Sequence, residues 1–125
     1  MSGRRQSVGS GGPWEDRFGY RRAVRIGDVV AVSGTTAPGP DAAAQARAAF
    51  AVALDTLAAL GGGPEDVVRT RMYVVDVARD GDAVGNVHAE VFGEHPPAAT
   101  MVEVAALIAP DLFVEVEVDA VLGGR

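Results

Sequence analysis

Residues 113–122 read FVEVEVDAVL. Valine or alanine occupies positions 114, 116, 118 and 120, and a carboxylate occupies 115, 117 and 119. This is the period-two alternation of a strand with one apolar and one polar face. Residues 67–76, VVRTRMYVVD, carry a matching pattern. Val68, Thr70, Met72 and Val74 share one face, and Arg69, Arg71, Tyr73 and Val75 share the other. Arginines on one strand answer carboxylates on its neighbour, and helices must cover the apolar side. Two readings fit the polar side. It is either a solvated face of an antiparallel sheet, whose charges also resist edge aggregation, or an oligomer interface holding a polar pocket.

The segments around these strands are well punctuated. Residues 20–25 and 29–34 flank Ile26-Gly27-Asp28 and predict a β-hairpin with VVAVSG as its second strand. TTAPGP is a loop, and Pro40-Asp41 opens a helix over about 41–60. Phe50, Leu54 and Leu57 form its apolar stripe, extended by Ala43, Ala46, Ala53 and Leu60, with Gln45, Arg47 and Asp55 off it. Gly61-Gly62-Gly63 ends the helix, and Pro64-Glu65-Asp66 turns into the strand at 67–76. A second helix is predicted over 80–94, with Val84, Val87, Val91 and Phe92 on one face and His95-Pro96-Pro97 as its stop. A strand follows over 101–107, and Pro110-Asp111 turns into 113–122. The order β-β-α-β-α-β-β predicts an α+β fold, a mixed sheet with two helices packed on one face.

The 125 residues suffice for one domain with a real core and no cross-links. The absence of cysteine excludes disulfides, thiolate nucleophiles and cysteine zinc sites. All eleven basic residues are arginine, which removes Schiff-base catalysis, a PLP anchor and a phosphate-loop lysine. A net charge of −6 is a poor footprint for nucleic acid. No stretch is long and apolar enough to span a bilayer. MSGRRQSVGSGG lacks the hydrophobic run of a secretory signal. A cytoplasmic location is therefore expected, with residues 1–12 as a disordered tail and 13–125 as a single domain.

Five segments, in order and spacing, resemble the Rid (YjgF-like) family, whose members are also labelled L-PSP endoribonucleases. They are GYRRAVRIGDVVAVSG, AAQARAAFAVALDTLAALGG, DVVRTRMYVVDVARD, NVHAEVFGEHPPAAT and FVEVEVDAV. The resemblance covers about residues 19–122. It implies a chorismate-mutase-like fold and a homotrimer with sheets inside, helices outside and three clefts between subunits. It also implies hydrolysis of reactive enamines or imines to a 2-oxo acid and ammonia.

The same resemblance assigns candidate roles. Glu117 matches the carboxylate that positions the hydrolytic water. Tyr20 matches the tyrosine of a Gly-Pro-Tyr stretch, although Gly19 precedes it directly and the proline is missing. Ser33 and Gly34 match a Ser-Gly at the end of the second strand, Asn86 a helix asparagine, and Met101 a cysteine or other small residue lining the cleft. The departure is Ala99. In deaminating members a Pro-x-Arg-Ser/Thr turn clamps the substrate carboxylate with its arginine, and here Pro97-Ala98-Ala99-Thr100 keeps the turn without the clamp. Alanine cannot supply a bidentate contact. Either the substrate has no carboxylate, or another cation serves, or the activity is absent. Arg71 is the candidate cation, as a substitute clamp or as an ion-pair partner of Glu115, Glu117 or Asp119.

The implied function is a Rid-type hydrolase, deaminase-like, acting on a small reactive metabolite. The alternatives are a non-catalytic trimer that binds a small metabolite, and an endoribonuclease. No cofactor, metal, nucleic acid or membrane partner is expected. His88 and His95 lack a nearby third metal ligand. They read as an exposed helix residue and a turn residue, or as acid and base of a ribonuclease. Ser33 has no adjacent base to make it a nucleophile. GGGPED closes a helix where phosphate binding would open one. Trp14 is read as packing the entry segment against the domain or a neighbouring subunit, with ligand stacking as the other reading.

Overall fold

The computed structural model of the chain describes residues 4–123; residues 1–3, the start of the expected tail, and 124–125 lie outside the described residues. The chain opens with strand β1 (Arg5–Val8) and a short helix α1 (Pro13–Phe18). The hairpin of β2 (Ala23–Ile26) and β3 (Val29–Thr35) leads to helix α2 (Ala42–Ala59) and strand β4 (Val67–Val74). Helix α3 (Val77–Phe92) and strands β5 (Ala98–Glu103) and β6 (Val114–Val121) complete it. The six strands form one sheet in the order β1-β2-β3-β6-β4-β5. β4 and β5 run parallel, and the other neighbours are antiparallel.

The α+β architecture read from the sequence is the one observed. α2 packs over β3 and β6, α3 over β4 and β5, and the helices pack on each other. Val114, Val116, Val118 and Ala120 of β6 are all buried beneath them. Phe50, Leu57, Val84, Val87 and Phe92 fill the space between the layers. Gly27 closes the β2–β3 hairpin at φ +62°, a conformation that suits glycine.

Several boundaries differ from the sequence reading. The expected disordered tail instead contains a strand, Arg5–Val8, which adds to the edge of β2 in the register Arg5↔Ile26 to Val8↔Ala23. RQSV has no apolar period of its own, so the open edge of β2 is what specifies it. α3 begins before residue 80 because Asp76 caps it, accepting the Arg79 N–H at 3.0 Å. β5 is Ala98–Glu103 rather than 101–107, and residues 104–113 cross to β6 as an irregular connection.

Two side chains lie on the opposite side from that expected. Gln45 is 1% exposed, not off the core face. Its amide donates to the carbonyls of Gly39 (3.1 Å) and Asp111 (2.9 Å), and accepts the Phe113 N–H at 2.8 Å. A buried amide so satisfied carries little penalty and ties two loops to α2. Val68 is 48% exposed and Val67 is buried, because the β4–β6 register slips between Val67 and Arg69. From Thr70 onward the predicted faces hold, with Thr70, Met72 and Val74 buried.

Candidate active site

The polar face of β4 and β6 is a network of fixed charges. Arg71 lies opposite Glu117, and Tyr73 lies opposite Glu115. The Tyr73 hydroxyl donates to Glu117 Oε1 at 2.6 Å. The Arg71 guanidinium donates to Asp119 Oδ2 at 3.0 Å and stands 3.9 Å from Glu117 Oε1. The bond to Glu117, then burial, hold the Tyr73 phenol above its ordinary pKa. Burial, and then the neighbouring Glu117, push the Glu115 carboxyl up. Glu115 lies over Gly34 so closely that a β-carbon there would collide with its carboxylate. Glycine at 34 lets the Glu115 carboxylate lie against the backbone of β3.

The chain's N-terminal segment builds the opposite wall. Glu15 is 5% exposed and accepts both the backbone N–H (2.7 Å) and the hydroxyl of Ser10. Those bonds, led by the Ser10 hydroxyl and assisted by Arg21, hold its carboxyl below the usual range. The Glu15 carbonyl accepts the N–H groups of Gly19 (2.8 Å) and Tyr20 (3.1 Å), which turns the chain so that Tyr20 faces the sheet. Between this segment and the sheet lies an open pocket of about 620 Å³, within the ordinary range for small-ligand sites.

That pocket brings together four of the residues singled out in the sequence, Tyr20, Ser33, Arg71 and Glu117. Tyr20 is 44% exposed. The Ser33 hydroxyl donates to the Arg21 carbonyl at 2.7 Å. Arg71 occupies its ion-pair role: Asp119 and Glu117 already answer its charge, which removes the motive for reading it as a free clamp. Gly34, next to Ser33, lies against Glu115 and is not among the residues that line the pocket.

The others are not brought into it. Asn86 sits on the exposed side of α3, in the helix layer. Ala99 pairs with Thr70 and Met101 with Met72, positions that face the helices. Met101 packs against the core, close to Gly81 of α3. Thr100, between them, shares the polar face and accepts from Arg69 Nη2 at 2.9 Å. Arg69 Nε is buried without a hydrogen-bond partner among the described residues.

The histidines also lie elsewhere. His88 is not the exposed helix residue expected. Its Nε2 lies 2.7 Å from the Thr70 hydroxyl, its ring packs on Phe50 and Phe92, and burial lowers its pKa. His95 is exposed after α3. Among the described residues, no group of three or more His, Asp or Glu side chains is placed to hold a metal ion.

Sequence reasoning missed the wall made by Arg5, Glu15, Asp16 and Arg21. Its signal was present in PWEDRFG: a proline at the first helical position, acids in the first turn and a glycine stop.

The family model described as endoribonuclease L-PSP matches residues 15–122. Rv2704 of Mycobacterium tuberculosis, crystallised as a member of the YjgF/YER057c/UK114 family, is 50% identical, with a TM-score of 0.92 over 95% of this chain and 100% of that one. The uncharacterized protein SCO2049 of Streptomyces coelicolor is 42% identical over 123 residues, 93% of this chain and 91% of its own length. The YjgF gene product of E. coli is 29% identical and superposes with a TM-score of 0.78 over 93% of each chain.

Proposed function

Because the chain belongs to the endoribonuclease L-PSP (YjgF-like) family, we propose that it is a Rid-type hydrolase converting a small imine or enamine to a carbonyl compound and ammonia. The observation that carries this reading is Glu117, on a rigid central strand, facing a pocket shared with Tyr20 and Ser33. Tyr73 orients one oxygen of Glu117 at 2.6 Å, which leaves the other to accept from water. That water adds to the C=N carbon while Glu117 takes its proton and returns it to nitrogen. Breaking the C–N bond then releases ammonia, so imine plus water gives carbonyl plus ammonia. Tyr20 holds a polar group of the substrate.

Carboxylates outnumber arginines in the pocket lining, Glu15, Asp16, Glu117 and Asp119 against Arg5, Arg21 and Arg71, which favours a substrate without a carboxylate. Arg71 is answered by Asp119 and Glu117, Arg21 lies 3.7 Å from Glu15, and Ala99 offers no cation. A homotrimer is part of the proposal, in keeping with a family that is typically oligomeric, with the sheet face that carries Arg71 and Glu117 turned toward the other subunits. A second reading, a non-catalytic metabolite-binding trimer, draws on Ser33 and Arg71, whose polar groups are already bonded within the chain. Nothing in the pocket favours ribonuclease chemistry, since neither histidine lines it.

Ammonia release decides between the readings. The hydrolase reading expects turnover of an uncharged imine, loss of that turnover in Glu117→Gln, and little action on 2-aminoacrylate generated in situ. Binding of such ligands without any ammonia release refutes the hydrolase in favour of the binding protein. Light scattering on the purified protein tests the trimer, and a monomer at micromolar concentration refutes it.

A further inference from the structure

Beside the polar pocket, and sharing Tyr20 with it, is a second, partly enclosed pocket of about 410 Å³ lined by Trp14, Phe18, Tyr20 and Ile108. These side chains are conspicuously out of the core: Phe18 is 62% exposed and Ile108 84% exposed. Clustered exposed apolar groups of this size mark binding surfaces. The cluster is also rigidly built. Trp14 and Phe18 lie one helical turn apart on α1, and their rings stack at 5.5 Å with a 10° interplanar angle. The Arg17 guanidinium lies over both, 5.5 Å and 5.1 Å from the ring centres. α1 is in turn anchored through buried Glu15 to Ser10. Ile108, from the connection between β5 and β6, supplies the facing wall.

The geometry points to an apolar subsite, so that the ligand of this protein carries a flat hydrocarbon, preferably aromatic, group beside its polar head. This rests on the proposed site in the polar pocket and names its substrate class. Tyr20 borders both pockets, so one small molecule spanning them buries its head at Glu117 and its tail against Trp14 and Phe18. Arg17 disfavours a cationic tail. The polar pocket's carboxylates disfavour an anionic head. A neutral imine or carbonyl compound with an aryl or branched aliphatic substituent satisfies both. A second copy of the chain is the competing occupant, and a concave space of about 410 Å³ between α1 and Ile108, next to the polar pocket at Tyr20, suits a ring better than a flat protein surface.

The test uses unreactive amides as probes, acetamide for the head alone and 3-phenylpropanamide for head plus tail, titrated by calorimetry against the full chain. Trp14, the single tryptophan, reports the same binding by fluorescence. The phenyl amide is expected to bind at least about tenfold more tightly than acetamide, from burial of one ring. Phe18→Ala and Ile108→Ser are each expected to remove most of that difference while acetamide binding stays the same. Ile108 is so exposed that its variant keeps the test valid if Phe18→Ala fails to fold. Equal affinities in the unmodified protein, or no binding of the phenyl amide, overturn the inference. So does a fall in oligomeric mass in the two variants, which assigns the patch to a second copy. Tight phenyl amide binding without ammonia release from any imine refutes the hydrolase alone, and turnover of small imines with no aryl preference refutes the subsite alone.

Discussion

Replacing Tyr73 with phenylalanine removes one oxygen and nothing else from the network around Glu117. The lost bond is short, 2.6 Å, and its acceptor is a carboxylate. Bonds to charged groups contribute about 1.5–3 kcal/mol when well shielded, but Glu117 is 32% exposed, so solvent screening reduces the figure to about 1 kcal/mol. For a domain of this size that lowers Tm by about 3–5 °C near pH 7. The pH dependence gives a sharper test. The folded pKa of Tyr73 is raised above its unfolded value, first by the bond to Glu117 and then by burial. Its stabilisation is therefore fully present below the unfolded value near 10 and is lost as pH rises through the folded one. The Tm difference between wild type and Tyr73→Phe should hold steady from about pH 7 to 9 and close at higher pH. The chain has two tyrosines, so the difference between the two proteins' alkaline absorbance titrations isolates Tyr73, with a midpoint above 10. Equal melting points at pH 7, or a Tyr73 midpoint at or below the ordinary value near 10, would refute the argument.

Arg71→Met should lower Tm by leaving Asp119 and Glu117 unanswered, more at low salt than near 1 M, and should weaken carboxylate ligands no more than it weakens folding; selective loss of carboxylate binding in a stable protein would restore the clamp reading. Gly34→Ala should displace the Glu115 carboxylate at a cost of less than about 1 kcal/mol in urea unfolding, because the flexible end of that side chain can swing aside, and the Gly34→Ala, Glu115→Ser double variant should show no cost from this contact. His88 has a folded pKa lowered by burial, so its unfolded form binds the proton more readily; stability should fall as pH drops below about 6.5, and His88→Leu should flatten that slope in thermal melts.

The fold was legible where periodicity and punctuation agreed. FVEVEVDAVL has one apolar face wherever it is placed, and Asp41 and Gly61 bracket α2 by local chemistry alone. β1 was not legible, since four residues without an apolar period become a strand only when a partner edge is at hand. Gln45 was misplaced because its burial depends on Gly39, Asp111 and Phe113, two of them over sixty residues away. For the site, Tyr20, Ser33, Arg71 and Glu117 converge because each sits on or beside a strand whose facing follows from alternation. Ala99 and Met101 face the other way because β5 takes its facing from parallel pairing with β4, a register that the sequence of β5 does not encode.

The position of β6 between β3 and β4 has a consequence for how the molecule comes into being. In chain order β6 follows every other strand, yet it separates the sheet into β1-β2-β3 on one side and β4-β5 on the other. During synthesis both halves exist before the strand that joins them, each with an open edge and an apolar face that only α2 and α3 can shield in part. Non-local closure of this kind is slow, and open edges invite wrong partners in the interval. The alternating Glu115, Glu117 and Asp119 therefore serve the nascent chain as well as the pocket, because a strand so charged resists acidic partners and is matched by Arg69 and Arg71 of β4. A chain stopped before residue 114 should behave as two unjoined fragments and be cleared or aggregate, whereas shortening the opposite edge by removing β1 should leave a sheet that still closes.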